Sequence, residues 1–165
     1  MSCDLALSAA ILMAAFHPGG AVAAGVAPSL LIQVADAKPA APMNPLAREP
    51  LYADIVKRAT ALRSQVQAYQ AGVRGLAALP HFDQFKTDIA ALSGLDMQGH
   101  LDLAKRGTDG DLKCILKGIS QDLPRKLNEV ETAATADARA AALKDMFYLL
   151  RDNVEVITTP PTVTS

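Results

Sequence analysis

Apolar residues recur through the middle of the chain at alternating steps of four and three. Between Leu51 and Leu79 they fall at Ile55, Ala59, Leu62, Val66, Tyr69, Val73 and Leu76. That alternation averages 3.5 residues per turn and predicts one helix over 51–79 with a continuous seam of coiled-coil type. Lys57, Arg58, Arg63, Gln65, Gln67 and Arg74 fall off the seam, as a solvated face requires. Pro80 ends the helix, because proline lacks the amide donor and turns the preceding residue away from helix. Gly72 and Gly75 weaken the last turns by roughly 1 kcal/mol each relative to alanine, and mark a close helix approach or a bend.

The same steps resume at Phe82, Phe85, Ile89 and Leu92, halt at Ser93-Gly94, and return in a shifted phase at Leu95, Met97, Leu101 and Ala104. This predicts a helix over 82–105, bent or broken at Ser93-Gly94. Lys105 and Arg106 suit the negative end of that helix, and Gly107 a left-handed cap. Thr108-Asp109-Gly110-Asp111 reads as a turn, with Asp109 or Asp111 available to cap a third helix over 111–133. The third series is Leu112, Leu116, Ile119, Leu123, Leu127 and Val130, with Pro124 inside it. Two readings follow: a stop near Gly118 with a restart near Asp122 that puts Pro124 in a first turn, or one kinked helix. A turn near Thr135 then introduces a fourth helix over 136–157, carried by Leu143, Met146, Phe147, Leu150, Val154 and Ile157. A single long helix from Pro124 to Ile157 is the rival, but no apolar phase runs cleanly through Asp137.

Four amphipathic segments with short connections predict an all-α fold, an antiparallel up-and-down bundle of about four helices. No period-2 run of β-branched residues suggests a sheet. Composition agrees: half of the residues are apolar, yet only 4% are aromatic and none is Trp, which favours helix packing over a β-sandwich.

Residues 1–37 contain no Lys or Arg. Leu5 to Phe16 is apolar apart from Ser8, the length of a signal-peptide core and too short to span a bilayer. Small-x-small sites end at Ala23 and Ala37. The segment reads as an export signal, although Asp4 stands where a basic residue is usual, and the mature chain is expected to be periplasmic or extracellular with no membrane insertion after cleavage. Lys38 to Pro50 holds four prolines in 13 residues and reads as an extended linker. The tail 158–165 is expected to be disordered. The net charge of −1 offers no footprint for nucleic acid or an anionic membrane.

Candidate chemistry is sparse. Cys114, the one cysteine remaining after removal of residues 1–37, lies near a helix start beside Lys113 and Lys117, which would lower a thiol pKa. It reads as a reactive or bridging thiol, with a small buried hydrophobe as the ordinary alternative. Met97 and His100 share a helical face at i and i+3, and methionine with histidine is a known haem pair. CxxCH is missing, however, and two neighbours on one helix cannot bind opposite sides of one iron. His81, in the connection after Pro80, has a capping or exposed role by default. The Asp109/Asp111 turn is no EF-hand, since position 12 would be Ser120 and not glutamate. Glu-x-x-His, GxSxG, HExxH, Walker and Rossmann patterns are all missing.

These observations give no catalytic residue, no cofactor and no metal site. The leading expectation is an exported, non-enzymatic bundle that binds another protein, or itself, through helix faces. A periplasmic haem- or metal-binding bundle using Met97, His100 or His81 is the alternative, and a thiol activity at Cys114 a third.

Overall fold

The computed structural model describes residues 43–72, 74–107 and 110–159. The export segment 1–37, Val73, the Thr108-Asp109 half of the second turn, and residues 160–165 lie outside the described residues. A short 3-10 helix, Pro45–Arg48, is followed by α1 (Pro50–Gly72), α2 (Phe82–Lys105), α3 (Asp111–Thr132) and α4 (Ala136–Thr158). Each helix packs on its neighbours in chain order and α4 closes on α1, while the backbones of the diagonal pairs α1/α3 and α2/α4 stay apart. The fold is the expected antiparallel four-helix bundle.

The α1 seam lies inside. Ile55, Ala59, Leu62, Val66 and Tyr69 are buried, joined by Tyr52 one step earlier. The helix stops at Gly72, seven residues short of the predicted end, and Leu76 is 52% exposed. Residues 74–81 form a connection in which Gly75 takes a positive φ of 62°. The Tyr69 hydroxyl donates to the Pro80 carbonyl at 2.8 Å, and the Tyr69 and Phe85 rings meet edge to face at 5.4 Å. A polar anchor and an aromatic contact thus hold the return, where an immediate reversal at Pro80 was expected.

Helix α2 runs unbroken through Ser93-Gly94, against the predicted bend. Its buried residues are Phe85, Ile89, Leu92, Asp96, Gly99 and Leu103. The 3–4 stepping therefore never changes phase; it passes through a carboxylate and a glycine. Of the residues in the shifted phase, Leu101 is 50% exposed and Ala104 is exposed. The close helix approach falls at Gly99, where an added Cβ would lie 3.1 Å from Leu116 Cδ1. Gly72 and Gly75 have open space instead.

Helix α3 is also continuous, with Pro124 in its interior. Pro124 cannot donate to the carbonyl of Ser120 four residues earlier. The Ser93 hydroxyl of α2 supplies that carbonyl with a hydrogen bond of 2.6 Å, so the missing donor is replaced from a neighbouring helix. Gly110, with φ 101°, occupies the N-cap position of α3, and Asp111 is the first helical residue. Thr135, at the expected turn, caps α4, its hydroxyl accepting from the Ala138 amide at 3.1 Å. Gly107 takes the left-handed conformation after α2, with φ 63°.

Part of the predicted linker is folded. Asn44 Oδ1 accepts from the Leu46 amide, the Asn44 amide donates to the Thr158 carbonyl at 3.1 Å, and Leu46 and Ala47 pack on the core. The short helix closes one end of the bundle. There Arg106 bonds Glu49 at 2.6 Å and Asp102 at 2.7 Å, while the Tyr52 hydroxyl donates to Asp102 at 2.8 Å. Burial, then the Asp102 acceptor, pushes the Tyr52 phenol up from its ordinary value. No described helix is long and apolar enough to cross a membrane.

Candidate functional site

Two features stand out, and both come from polar residues placed on apolar seams. On α4 the buried series is Arg139, Leu143, Met146, Leu150, Asn153 and Ile157, again at steps of four and three, with Ala142 beside it. Arg139 belongs to the first of these features and Asn153 to the second.

At the bundle end opposite the short helix, a cleft of about 500 Å³ opens where the last turn of α1 and its following loop face the first turns of α4. Ligand-sized sites commonly fall in this volume range. Arg74, Arg139, Lys144 and Asp137 supply its charge, with Tyr69 and Gly75 among the other lining residues. Three cations against one acid leave a net of two positive charges. Arg139 is the best fixed of them: it is nine-tenths buried, and its Nη2 donates to the Gly75 carbonyl. That carbonyl is presented by the left-handed turn at Gly75. Arg139 also sits close to the positive end of the α4 dipole, a poor place for a cation on helix grounds alone. Dipole and guanidinium add, so the cleft is electrostatically prepared for an anion.

The second feature lies at the middle of the bundle. Asp96 of α2 and Asn153 of α4 are both fully buried, and Asn153 Nδ2 donates to Asp96 Oδ2 at 2.9 Å. Their helices are diagonal, so the bond crosses the bundle centre. Burial pushes the Asp96 carboxyl up to about 8, with the Asn153 amide pulling in the other direction. Asp96 Oδ1 and Asn153 Oδ1 are the two buried side-chain atoms without a hydrogen-bond partner among the described residues.

The residues singled out from sequence lie elsewhere. His100 is half-buried, and with its Nδ1 proton in place it donates to the Lys113 carbonyl at 2.7 Å, tying α2 to α3. Met97 is half-buried on the same helix. His81 is exposed, takes a left-handed φ of 54° ahead of α2, and makes no side-chain cap. Cys114 is half-buried near the start of α3, and no free cysteine stands among the described residues. Among the described residues no three His, Cys, Asp or Glu side chains gather to hold a metal ion. Asp96, Asn153 and Arg139 were missed in the sequence, although continuing the 3–4 steps from Leu92 and backwards and forwards from Leu143 lands on each. Compared with known proteins, the chain matches no family model, no curated protein and no solved structure.

Proposed function

We propose that the chain is an exported, non-catalytic binding module whose cationic cleft receives an acidic segment of a partner protein. The observation that carries this reading is the cleft itself, with Arg74, Arg139 and Lys144 on its walls and Arg139 held in place by the Gly75 carbonyl. The α1 seam, which first suggested binding through helix faces, is covered by the other helices from Tyr52 to Tyr69. In this cleft a net positive charge and a concave surface coincide. Export remains part of the proposal on the strength of residues 1–37, and intact-mass analysis of the endogenous protein tests it.

Binding of a fluorescent oligoglutamate peptide, followed by anisotropy at low and at high salt, tests the cleft. Arg74→Glu with Lys144→Glu reverses two exposed charges and leaves the buried Arg139 in place. The expected result is salt-sensitive binding that the double reversal abolishes with the fold intact by circular dichroism. Equal binding by both proteins, or none by the parent at low salt, would refute the assignment.

A further inference from the structure

The Asp96–Asn153 pair makes one hydrogen bond where its shape allows two. A carboxylic acid and a carboxamide can close an eight-membered ring, the amide N–H donating to one carboxyl oxygen and the carboxyl O–H to the amide oxygen. The first of these bonds is present, from Asn153 Nδ2 to Asp96 Oδ2 at 2.9 Å. The atoms left over are the two needed for the second, Asp96 Oδ1 and Asn153 Oδ1, both buried and both without a donor. Two acceptors cannot satisfy one another, and burying a polar atom unpaired is costly. A proton on Asp96 removes both deficits at once.

We propose that the bundle centre is a proton-binding site: Asp96 is held as a neutral acid whose Oδ1–H donates to Asn153 Oδ1, and release of that proton loosens the diagonal tie between α2 and α4. Bond-making and charge balance within the pair, the proton leaving to solvent as Asp96 becomes a carboxylate.

The surroundings fit. Burial, the cause that lifts the carboxyl, is complete at this position. Titratable side chains on the buried faces are few: Tyr52 and Tyr69 on α1, none on α3, and Arg139 on α4. Tyr52 is committed to Asp102, Tyr69 to Pro80, and Arg139 to Gly75 at the bundle end. On α4 Arg151 pairs with Asp152, next to Asn153, at 2.8 Å. On α1 Asp54 pairs with Arg58 on the surface, and on α3 Asp122 pairs with Arg125. On α2 itself, Asp102 pairs with Arg106. His100, one turn further along α2, bonds the Lys113 carbonyl, and among the described residues burial and the Asn153 amide are what act on the Asp96 carboxyl.

The sign follows from linkage. Below the ordinary aspartate range both folded and unfolded chains hold the proton, and the contribution to stability is complete. Between about 3.8 and about 8 the unfolded chain has released it and the folded chain has not, so stability falls as pH rises. The test is a carbon-13 NMR titration of the Asp96 carboxyl in the full chain, with urea unfolding of the parent and Asp96→Asn across the same pH range. An asparagine at this position keeps both the shape and a donor toward Asn153. The expected result is a carboxyl that stays protonated at pH 7, and a parent that loses about tenfold in folding constant per pH unit relative to Asp96→Asn. A carboxyl that titrates in the ordinary aspartate range would overturn the proposal. So would an Asp96→Asn protein with the same pH slope as the parent. If that variant does not fold, the parent titration alone decides.

Discussion

Replacing Ser93 by alanine removes the hydroxyl that bonds the Ser120 carbonyl at 2.6 Å. That carbonyl sits four residues before Pro124 inside α3, where the helix itself offers no donor. Leaving a buried acceptor unsatisfied costs about 1–3 kcal/mol. Ser93 is half-buried, so the expected loss for Ser93→Ala is about 1–2 kcal/mol, near the lower end of that range. Pro124→Ala acts in the opposite direction. It restores the amide donor and removes an interior-proline penalty of about 3 kcal/mol, offset by about 0.4–1 kcal/mol of added freedom in the unfolded chain. In that background the Ser120 carbonyl has its own helical partner, and Ser93→Ala should cost about 0.5 kcal/mol or less. Urea unfolding of the four proteins, followed by far-ultraviolet circular dichroism, reads the difference as midpoints at constant slope. The expected coupling is about 1 kcal/mol. An equal cost of Ser93→Ala in both backgrounds would refute the idea that the hydroxyl replaces the missing N–H.

Other outcomes follow from single contacts. Gly94→Ala meets nothing within 4 Å and should stabilise by about 0.8–1 kcal/mol from helix propensity. At Gly99 the same methyl would lie 3.1 Å from Leu116 Cδ1 and 3.4 Å from Tyr52 Cε1, and an overpacking cost of about 1–3 kcal/mol should cancel or reverse the gain; equal stabilisation by both changes would contradict the close approach. Thr135→Ala removes the α4 cap and should cost about 1 kcal/mol by chemical denaturation. At the bundle end near the short helix, the Arg106 hydrogen bond holds Glu49 below the usual carboxylate range. The Tyr52 hydroxyl, then Arg106, does the same for Asp102. Both groups favour the fold above the ordinary carboxylate range and lose that contribution as pH falls through their lowered values. Arg106→Gln should raise both in an NMR titration, and unchanged values would show that Arg106 does not set them.

Local spacing was enough to read most of the bundle. The α1 seam, the Thr135 cap and the Gly107 terminus each follow from residues within a turn or two of one another. The errors arose where the physical cause lies on another helix. Pro124 pointed to a break because its compensating donor, Ser93, is contributed by α2. Ser93-Gly94 pointed to a bend because the serine's partner on α3 cannot be seen from α2. Counting only apolar side chains carries the series past Asp96 to the Leu95/Met97 phase and past Asn153 to Val154, although Asp96 and Asn153 are matched by one another across the core. The cleft had no local signature either: Arg139 reaches the Gly75 carbonyl across 64 positions of sequence.

The stepping of α2 and α4 runs on through Asp96 and Asn153, so that these side chains meet at the bundle centre. Hydrogen exchange of the Asn153 side-chain amide, with Asn128 as the exposed reference, tests this placement most directly. The Asn153 amide protons should exchange only through global unfolding, slowed by the full folding equilibrium constant. Exchange as fast as that of Asn128 would place Asn153 in water and contradict the account.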